Sequence, residues 1–281
     1  MSKGTLYIVA TPIGNLEDIT FRAIRTLKEA DLIAAEDTRH TAKLLNHYGI
    51  SKPMISYWGE KEKVKAEETI ERLASGQNVA LVSDAGTPGI SDPGGVLIRR
   101  AIDEGIGVVI VPGPSAVIAA LSLSGLPTEQ FVYAGFLPPK QSQRKKVLQE
   151  LCVELRTLVF YEAPHRILET LGDMAEIFGD RQAVVVKEIT KLFETAYRGN
   201  LSEILNSLED SKIAGEYVIV VSGRGEEKTY TTEDALNEVR ALMKKGLGRK
   251  DAVKRVAGEY GISKKELYDL SLTGEQKQDK L

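Results

Sequence analysis

The sequence has little cysteine, few aromatic residues and no long apolar run. Of its 281 residues one is a cysteine, Cys152, and 6% are aromatic. A single cysteine excludes an internal disulfide framework and is typical of a reducing compartment. No apolar run approaches the roughly 20 residues that span a bilayer, and the first residues lead into a strand pattern and not into a signal peptide. We therefore expect a cytoplasmic protein with no membrane segment.

Several common cofactor motifs are also absent. The chain has no Gly-x-x-x-x-Gly-Lys-Ser/Thr loop, no Gly-x-Gly-x-x-Gly that opens a first helix and no Gly-x-Ser-x-Gly elbow. Its three histidines are scattered, and the lone cysteine offers no metal-ligand spacing. These absences argue against a P-loop nucleotide hydrolase, an ordinary dinucleotide-binding domain and a metal centre.

Three loops rich in glycine and proline each follow a short apolar run of the strand type. They cover residues 11–15, 83–94 and 112–115, after the apolar runs 6–9, 79–82 and 108–111. Glycine lets a backbone approach a ligand closely, and proline stiffens the loop. Because open α/β sheets bind ligands at the carboxyl ends of their strands, the three loops predict a cofactor cleft.

Strand and helix patterns alternate along most of the chain. This alternation predicts an α/β fold built on a mainly parallel sheet with helices on its faces. A helix pattern ends near residues 121–127 and a new alternation starts at residue 131. We therefore predict an N-terminal α/β domain at residues 1–120, a second α/β domain at 121–225 that completes the cleft, and a small helical domain at 226–281.

The last fifty residues show helical patterns and a local excess of positive charge. Residues 249–260, a turn at 261–263 and residues 264–268 resemble a helix-turn-helix. Nine lysine or arginine residues lie between Arg240 and Lys265, although the whole chain has a net charge of −3. Such a patch favours phosphate contacts; a helical cap with a solvated basic face is the alternative. The candidate RNA contacts in this tail are Arg249, Lys250, Lys254 and Arg255.

Five motifs agree in identity and order with one known family. They are ATPIGNL at 10–16, EDTRHT at 36–41, SDAGTPGISDPG at 83–94, GFLP at 135–138 and YEAPHR at 161–166. Together they resemble the tetrapyrrole methylase superfamily and, within it, the family of 16S ribosomal RNA cytidine 2′-O-methyltransferases. The resemblance implies a dimeric two-domain α/β enzyme that uses S-adenosylmethionine to methylate a cytidine ribose of 16S rRNA in the small ribosomal subunit.

The same resemblance implies where the cofactor binds. The methionine and ribose portions would lie on the three loops, and the adenine would lie toward the second domain. The implied contacts are Pro12, Gly14, Asp84, Gly86, Thr87, Pro88, Ile90, Ser115 and Ala116. Thr87 stands where the corrin and porphyrin branch has an aspartate, and this departure speaks against a tetrapyrrole substrate.

The segment Glu36 to His40 offers the best set of catalytic candidates, because it follows a predicted strand end at the cofactor edge. Methyl transfer to an alcohol depends mainly on alignment, and a group that accepts the hydroxyl proton contributes about 10²–10⁴-fold. We predict that Asp37 orients the hydroxyl or accepts its proton, that Arg39 binds a phosphate or carboxylate, and that Glu36 assists. The alternative is an ion pair that caps the next helix.

Three weaker candidates have structural alternatives. Glu162 and Arg166 follow a strand of the second domain, where they either face the cleft or stabilise a helix start. Tyr57 and Trp58 either stack on an extruded base or pack in the core. A basic loop predicted to be exposed either contacts RNA or forms a solvated helix face; its residues are Lys140, Arg144, Lys145 and Lys146.

Three functions compete at this point. The first is methylation of ribosomal RNA, with the tail helping to bind RNA. The second keeps the fold and cofactor but methylates a small molecule such as a tetrapyrrole precursor. The third is a ligand-sensing regulator whose α/β domains bind the ligand and whose helix-turn-helix binds nucleic acid. The basic tail speaks against the second function, and so does the first loop, which lacks the Gly-x-Gly-Pro-Gly-Asp pattern of the corrin and porphyrin branch.

Overall fold

The computed structural model describes residues 2–57, 62–225 and 231–273. The chain divides into two compact units, Met1–Arg224 and Gly225–Leu281. The larger unit contains two five-stranded sheets, and the smaller unit is helical. An α/β fold followed by C-terminal helices confirms the predicted fold class, whereas the predicted boundary between two α/β domains near residue 120 stays a prediction.

The first sheet is entirely parallel. Its strands are β1 (Thr5–Val9), β2 (Leu32–Ala35), β3 (Met54–Ser56), β4 (Val79–Val82) and β5 (Gly107–Val111), in the order β3-β2-β4-β1-β5. The helices of this half are α1 (Phe21–Glu29), α2 (Thr38–His47), α3 (Glu62–Ala74), α4 (Gly95–Asp103) and α5 (Ala116–Ser124). Because all five strands run the same way, the three loops singled out in the sequence meet at one edge of the sheet.

Hydrophobic layers cover both faces of this sheet. Every residue of β2 and of β4 is buried, which explains why these strands read as unbroken apolar runs. Leu6 and Leu81 pack on one face with α3 and α4. Val9 and Val82 pack on the opposite face with α1 and α2. The loops at the strand ends therefore rest on a rigid base.

The second sheet is mixed. Its strands are β6 (Phe131–Phe136), β7 (Thr157–Glu162), β8 (Gln182–Lys187), β9 (Thr195–Asn200) and β10 (Tyr217–Val221), in the order β6-β7-β10-β8-β9. Strands β6 and β7 are parallel, whereas β10 is antiparallel to both β7 and β8, and β8 and β9 form an antiparallel pair. The helices are α6 (Gln141–Leu151), α7 (Ile167–Phe178) and α8 (Leu201–Glu209).

The second half differs from the sequence prediction in several elements. Strand β9, which pairs antiparallel with β8, and helix α8, which follows it, depart from the mainly parallel alternation that the sequence predicts. Helix α5 belongs to the first half of the chain, but Val117 and Leu121 pack against Val159 and Val218 of the second sheet. Thus α5 joins the two sheets through a shared apolar layer.

The smaller unit is a three-helix cluster made of α9 (Thr232–Lys244), α10 (Arg249–Tyr260) and α11 (Lys264–Thr273). Its apolar core includes Val239, Val256 and Leu267. Helix α10 ends at Gly261, whose φ of +66° allows the sharp turn into α11. Over residues 2–57, 62–225 and 231–273, no helix combines the length and the apolar character needed to cross a bilayer.

Candidate active site

A cavity of about 380 Å³ lies between the strand ends of the first sheet and those of the second. Both sheets belong to the larger unit. The volume falls within the range of about 300–1,000 Å³ typical of small-molecule sites. The first half contributes Ile13, Ala85, Gly86, Thr87, Ile90, Ser91, Asp92, Ser115 and Ala116. The second half contributes Phe136, Tyr161, Glu162, Ala163, Pro164, Ile189, Glu216, Tyr217 and Val218.

Backbone hydrogen bonds join the loop after β1 to the loop after β4. The amide of Thr11 donates to the carbonyl of Gly86 at 2.9 Å, and the amide of Gly86 donates back at 3.1 Å. The Thr11 hydroxyl also donates to the carbonyl of Ser83 at 3.1 Å. Gly86 has a φ of +75°, a conformation that a side chain disfavours. These bonds make the two loops one preorganised wall of the cavity.

The third loop lies close behind the first. A Cβ placed on Gly113 would lie 3.0 Å from the Cβ of Ala10, a tight contact that favours glycine at this position. The amide of Ala10 donates to the carbonyl of Val111 at 3.1 Å. This contact places Ser115, which precedes the first turn of α5, and Ala116 on the cavity wall.

The structure brings five of the nine implied cofactor residues to the cavity surface: Gly86, Thr87, Ile90, Ser115 and Ala116. The other four lie behind that surface or beside it. Pro12 and Pro88 are buried. Gly14 is packed against the loop after β8, where an added Cβ would lie 2.5 Å from Cγ of Lys191. Asp84 accepts a hydrogen bond from the amide of Asp37 at 3.1 Å.

Asp37 and Arg39 form a closed pair outside the cavity lining. The Asp37 carboxylate accepts from the Arg39 amide at 2.8 Å, from Nε at 3.1 Å and from Nη2 at 2.7 Å, and it caps α2. These bonds hold the pKa of Asp37 well below its usual range. The Arg39 side chain is 88% exposed. The geometry matches the helix-capping alternative, and Asp37 is a poor proton acceptor; the catalytic role predicted for this pair stays a prediction.

Three carboxyl groups cluster where β2 and β4 end. Oε2 of Glu36 accepts from the amide of Asp84 at 3.2 Å, and burial is the main cause that raises the pKa of Glu36. Burial, followed by the charges of Glu36 and Asp84, raises the pKa of Asp92 to about 6. Asp92 lines the cavity, and our sequence-based candidates did not include it. The sequence did contain a signal for Asp92, because the longest glycine-rich loop, residues 83–94, carries two aspartates.

Glu162 is a buried and fully engaged carboxylate. Its Oε2 accepts from the Thr170 hydroxyl at 2.6 Å, and its Oε1 accepts from the Ala163 amide at 2.8 Å and from Nη2 of Arg166 at 2.7 Å. Nη1 of Arg166 donates to the carbonyl of Leu137 at 3.3 Å. The pair fixes the turn from β7 into α7, which matches the helix-start interpretation of Glu162 and Arg166. Glu162 reaches the cavity lining, but Arg166 does not.

An aromatic group forms the second-sheet side of the cavity. The Tyr161 ring makes edge contacts with Tyr133 and Phe136, with centroids 5.3 and 5.4 Å apart, and the Tyr133 hydroxyl hydrogen bonds to Ser91. Burial raises the pKa of Tyr161 above its ordinary value. Sequence reasoning missed these residues, because aromatic side chains in an apolar strand are indistinguishable from core.

The basic loop predicted to be exposed is in fact the start of helix α6. The expectation is wrong for Arg144, which is 0% exposed. Its Nε donates to Oδ2 of Asp173 at 2.6 Å, because packing against α7 turns this side chain inward. Lys145 pairs with Glu176 at 2.6 Å, whereas Lys140 and Lys146 are exposed. Arg144 therefore has no accessible guanidinium for RNA.

Of the two aromatic residues after β3, Tyr57 alone lies in the described part of the chain. Tyr57 is buried, and its hydroxyl accepts from the Leu97 amide at 3.0 Å, which agrees with core packing. Trp58 lies outside the described residues. In the described part of the chain, no group of three or more His, Cys, Asp or Glu side chains could hold a metal ion.

The helical tail carries a separate basic groove between α10 and α11. Its volume is about 360 Å³, and its lining includes four lysines, Lys250, Lys254, Lys264 and Lys265, together with Tyr268. Two of the predicted RNA contacts, Lys250 and Lys254, line this groove. Arg255 is exposed on α10, and Arg249 is half-buried at the start of the same helix.

The fold is shared with methyltransferases of known structure. The native form of uroporphyrin III C-methyl transferase from Thermus thermophilus matches with a TM-score of 0.56 at 18% identity, covering 78% of this chain and 97% of that one. The methyltransferase CobJ matches with a TM-score of 0.59 at 19% identity, covering 78% and 94%. At these identities the likeness establishes the fold, two α/β halves around one cavity.

Sequence comparison identifies the family. Residues 5–205 match the family described as Tetrapyrrole (Corrin/Porphyrin) Methylases. The chain is 46% identical over 273 residues to ribosomal RNA small subunit methyltransferase I of Halalkalibacterium halodurans, covering 95% of this chain and 94% of the relative. It is 45% identical over 272 residues to the protein of that name from Bacillus subtilis, covering 95% and 93%. The chain belongs to the tetrapyrrole methylase family and is a methyltransferase, which confirms the family resemblance drawn from five motifs.

Proposed function

We propose that the chain transfers a methyl group from S-adenosylmethionine to the 2′-hydroxyl of a cytidine in 16S rRNA of the small ribosomal subunit. The observation that carries the proposal is the 46% identity over 95% of the chain to a relative named as a ribosomal RNA small subunit methyltransferase. That span includes the cavity, and at this coverage it also reaches the helical tail. Fold likeness alone would leave the small-molecule alternative open.

The cavity fits S-adenosylmethionine in size and in chemistry. Ser115 and Ala116 place the amino end of α5 at the wall, where free amides favour a carboxylate such as that of methionine. Phe136, Tyr161 and Val218 give the opposite side an apolar and aromatic character that suits a purine. When bound, the cofactor supplies an electrophilic methyl group on a positively charged sulfur.

The protein contributes alignment and the exclusion of water. The bonds between Thr11 and Gly86 fix the first-sheet wall, and the Glu162–Arg166 pair fixes the opposite wall. A rigid wall on each side restricts the angle at which an acceptor hydroxyl meets the methyl carbon, as an in-line displacement requires. Gly86, at a φ of +75°, brings its backbone to the cavity surface with no side chain in the way.

Exposed cations supply the contacts with RNA phosphates. Arg39 is held by Asp37 close to the end of β2 and presents an exposed guanidinium. Lys140 and Lys146 are exposed around the start of α6. In the tail, Lys250, Lys254 and Arg255 are exposed on α10, and the half-buried Arg249 begins the same helix. Contacts of this kind position RNA and make its binding sensitive to salt, whereas the cavity selects the nucleotide.

The enzyme works as a homodimer in the cytoplasm. Strand β5 is an edge strand, and its residues Val109 and Ile110 are exposed. Arg22 hydrogen bonds to the Ile110 carbonyl at 3.3 Å, which brings the start of α1, with Phe21 exposed, to this edge. An uncovered apolar edge of this kind is satisfied by the matching edge of a second copy. Sedimentation equilibrium tests this part of the proposal, and a monomer at micromolar concentration contradicts it.

Methyl-label transfer tests the function. Labelled S-adenosylmethionine is incubated with the full chain and small ribosomal subunits, free 16S rRNA, duplex DNA or a tetrapyrrole precursor. We expect label in 16S rRNA, and we expect S-adenosylhomocysteine to raise the melting temperature. Label in the small molecule alone, or no stabilisation by S-adenosylhomocysteine, contradicts the proposal.

A pair of glycine variants ties any activity to the cavity. Gly86→Leu adds a side chain to a residue of the cavity wall, whereas Gly105→Leu adds the same side chain at a φ of +62° after α4, with no atom within 4 Å of the new Cβ. Both variants carry the same type of backbone strain. We expect loss of S-adenosylhomocysteine binding only in Gly86→Leu. If the two variants bind S-adenosylhomocysteine equally well, the cavity is not the cofactor site.

A further inference from the structure

The loop between β8 and β9, residues 188–194, borders the cavity, and we call it the rim loop. Ile189 lines the cavity, and so does Glu216, whose Oε2 accepts from Nζ of Lys191 at 2.9 Å. A Cβ added to Gly14 would lie 2.5 Å from Cγ of Lys191, so the rim loop packs against the loop after β1. The rim loop therefore lies where the two halves of the cavity wall meet.

The rim loop has a strained backbone that hydrogen bonds hold in place. Glu188 has a φ of +53° and Thr190 a φ of +66°, both unfavourable for residues other than glycine. Nζ of Lys191 donates to Oε1 of Glu188 at 2.8 Å, and the amide of Thr190 donates to Oε2 of Glu194 at 2.6 Å. Such strain persists only where the surrounding contacts impose it, and it clusters at functional sites.

The tip of the rim loop exposes two large apolar side chains. Leu192 is 90% exposed and Phe193 is 74% exposed. Among the exposed large apolar side chains of the described residues, only Phe21 is more exposed than Leu192. An apolar side chain stabilises a fold through burial, so these two contribute little to the stability of the isolated chain. A fixed loop that holds an aromatic ring in solvent beside a binding cavity indicates a contact with a ligand.

RNA is the ligand that fits this surface. A ribose whose hydroxyl reaches the cavity is linked to further nucleotides on both sides, so an RNA substrate must cross the rim. Exposed aromatic side chains bind unpaired bases of single-stranded RNA by stacking. Nζ of Lys187 donates to the carbonyl of the exposed Lys212 at 2.7 Å, which brings two cations to the base of the rim loop, where they favour backbone phosphates.

We propose that Phe193 stacks on an unpaired base of the RNA substrate beside the methylated nucleotide, that Leu192 extends this apolar contact, and that Lys191 positions both. The inference rests on the proposed function, because it requires an RNA chain as the methyl acceptor. It adds a substrate-binding surface outside the cavity, and it requires the RNA to be single-stranded where it crosses the rim loop. Duplex RNA keeps its bases paired and stacked, so it does not make this contact.

The substitution Phe193→Ala tests the contact, because it removes the ring from an exposed position. Loss of one base–aromatic stack corresponds to about 5–150-fold in affinity. We expect the dissociation constant of a single-stranded 16S rRNA fragment and the KM for small ribosomal subunits to rise by this factor. The kcat and the dissociation constant of S-adenosylhomocysteine should change by less than about threefold. The salt dependence of RNA binding should stay as in the wild type, because stacking releases no counterions.

Two further variants at the same position separate stacking from general apolar contact. Phe193→Tyr keeps an aromatic ring, so we expect RNA affinity within about threefold of the wild type. Phe193→Leu keeps an apolar side chain without a ring and should resemble Phe193→Ala. The matched control for Leu192→Ala is Leu155→Ala, on a leucine that is 64% exposed between α6 and β7. We expect a raised KM only in Leu192→Ala.

A double-mutant cycle tests the role of Lys191. Lys191→Met removes both hydrogen bonds of the ammonium group, and we expect it to raise the KM for small ribosomal subunits. If Lys191 acts through Phe193, the double variant should have nearly the same KM as Phe193→Ala alone. Additive increases in KM would overturn the positioning role, because they would show that the two side chains act independently.

The outcomes distinguish the rim loop from the proposed function. Wild-type protein that transfers no methyl label to 16S rRNA overturns the proposed function. An active wild type combined with unchanged RNA affinity and KM in Phe193→Ala overturns the stacking contact, and so does wild-type affinity in Phe193→Leu. Sedimentation equilibrium of Phe193→Ala covers the remaining occupant. Loss of a dimer in this variant would assign the surface to a second copy of the chain and contradict the proposal.

Discussion

The two sides of the cavity hold carboxylates in opposite states. On the second-sheet side, Glu162 is buried with donors from Arg166, Thr170 and the following amide. On the first-sheet side, Asp92 is partly buried, and the charges that act on it most are those of two other carboxyl groups. Glu162 is the last residue of β7, Asp92 lies in the loop between β4 and α4, and both line the same cavity. The two carboxylates differ in their partners.

The comparison separates a carboxylate held by several donors from one that has none in the described part of the chain. A buried carboxylate with three donors is held rigidly, and its removal leaves an unpaired cation. A partly buried carboxylate without donors has a raised pKa and remains open to a ligand in the cavity. We therefore expect changes on the second-sheet side to affect stability first, and changes on the first-sheet side to affect turnover first.

The largest expected effect on stability follows Glu162→Ala. The change leaves Arg166 without its carboxylate at a mostly buried site, and the free energy of unfolding should fall by about 3–5 kcal/mol. Urea denaturation followed by circular dichroism measures the effect. Glu150→Ala, on the exposed side of α6, serves as the control with a change below about 0.5 kcal/mol. Similar losses of unfolding free energy in the two variants would show that Glu162 has no special structural role.

Arg144→Ala should have the next largest effect. It removes the charged hydrogen bond to Asp173, but Lys145 remains 3.6 Å from that carboxylate, so we expect a loss of about 1.5–3 kcal/mol. Filter binding should show unchanged RNA affinity, because the guanidinium is buried. Lys146→Ala should have the opposite effects. The free energy of unfolding should stay unchanged, and the salt dependence of RNA binding should fall by about one phosphate contact. Weaker RNA binding by a folded Arg144→Ala protein would contradict this expectation and would show that Arg144 contributes to RNA binding.

Asp92→Asn should raise stability at pH 7. In the folded state the pKa of Asp92 is about 6, above its ordinary value of 3.8, so folding disfavours the ionised form. Removing the charge should therefore stabilise the protein by about 1 kcal/mol at pH 7, a figure discounted for partial solvent screening. The advantage should shrink as the pH falls from 6 to 4, because wild-type Asp92 becomes protonated in the folded state. Urea denaturation at pH 7 and pH 4.5 checks the sign, and a less stable variant at pH 7 contradicts it.

Asp37→Asn should have the smallest effect on turnover. The carboxylate is bound by Arg39 and lies outside the cavity lining, so kcat should change by less than about threefold. The KM for RNA should rise modestly, because Arg39 loses the partner that orients it. Steady-state kinetics at several salt concentrations separate the two parameters. A fall in kcat of a hundredfold or more would contradict this expectation and would assign Asp37 the role of proton acceptor.

Local features of the chain were predictable from sequence, whereas partnerships across the fold were not. The loop at residues 83–94 and the residues Gly86 and Ser115 were found because glycine and proline after an apolar strand have a local meaning. Arg144 reads as one more cation in a basic run, and only Asp173, 29 residues away, shows that it is buried.

The lowered pKa of Asp37 and the raised pKa of Asp92 likewise depend on contacts that sequence spacing does not reveal. Strand β9 escaped notice because all its residues are half-buried or exposed and none of them forms an apolar run.

Nucleoside analysis of modified RNA is the most direct test of the central claim, that the cavity delivers a methyl group to a ribose hydroxyl. Small ribosomal subunits lacking the modification are incubated with S-adenosylmethionine and the wild-type protein, Gly86→Leu or Gly105→Leu, and the 16S rRNA is digested for mass spectrometry. We predict 2′-O-methylcytidine with the wild type and with Gly105→Leu, and none with Gly86→Leu. A methyl group on a base, or equal yields of 2′-O-methylcytidine from the two variants, would contradict the account.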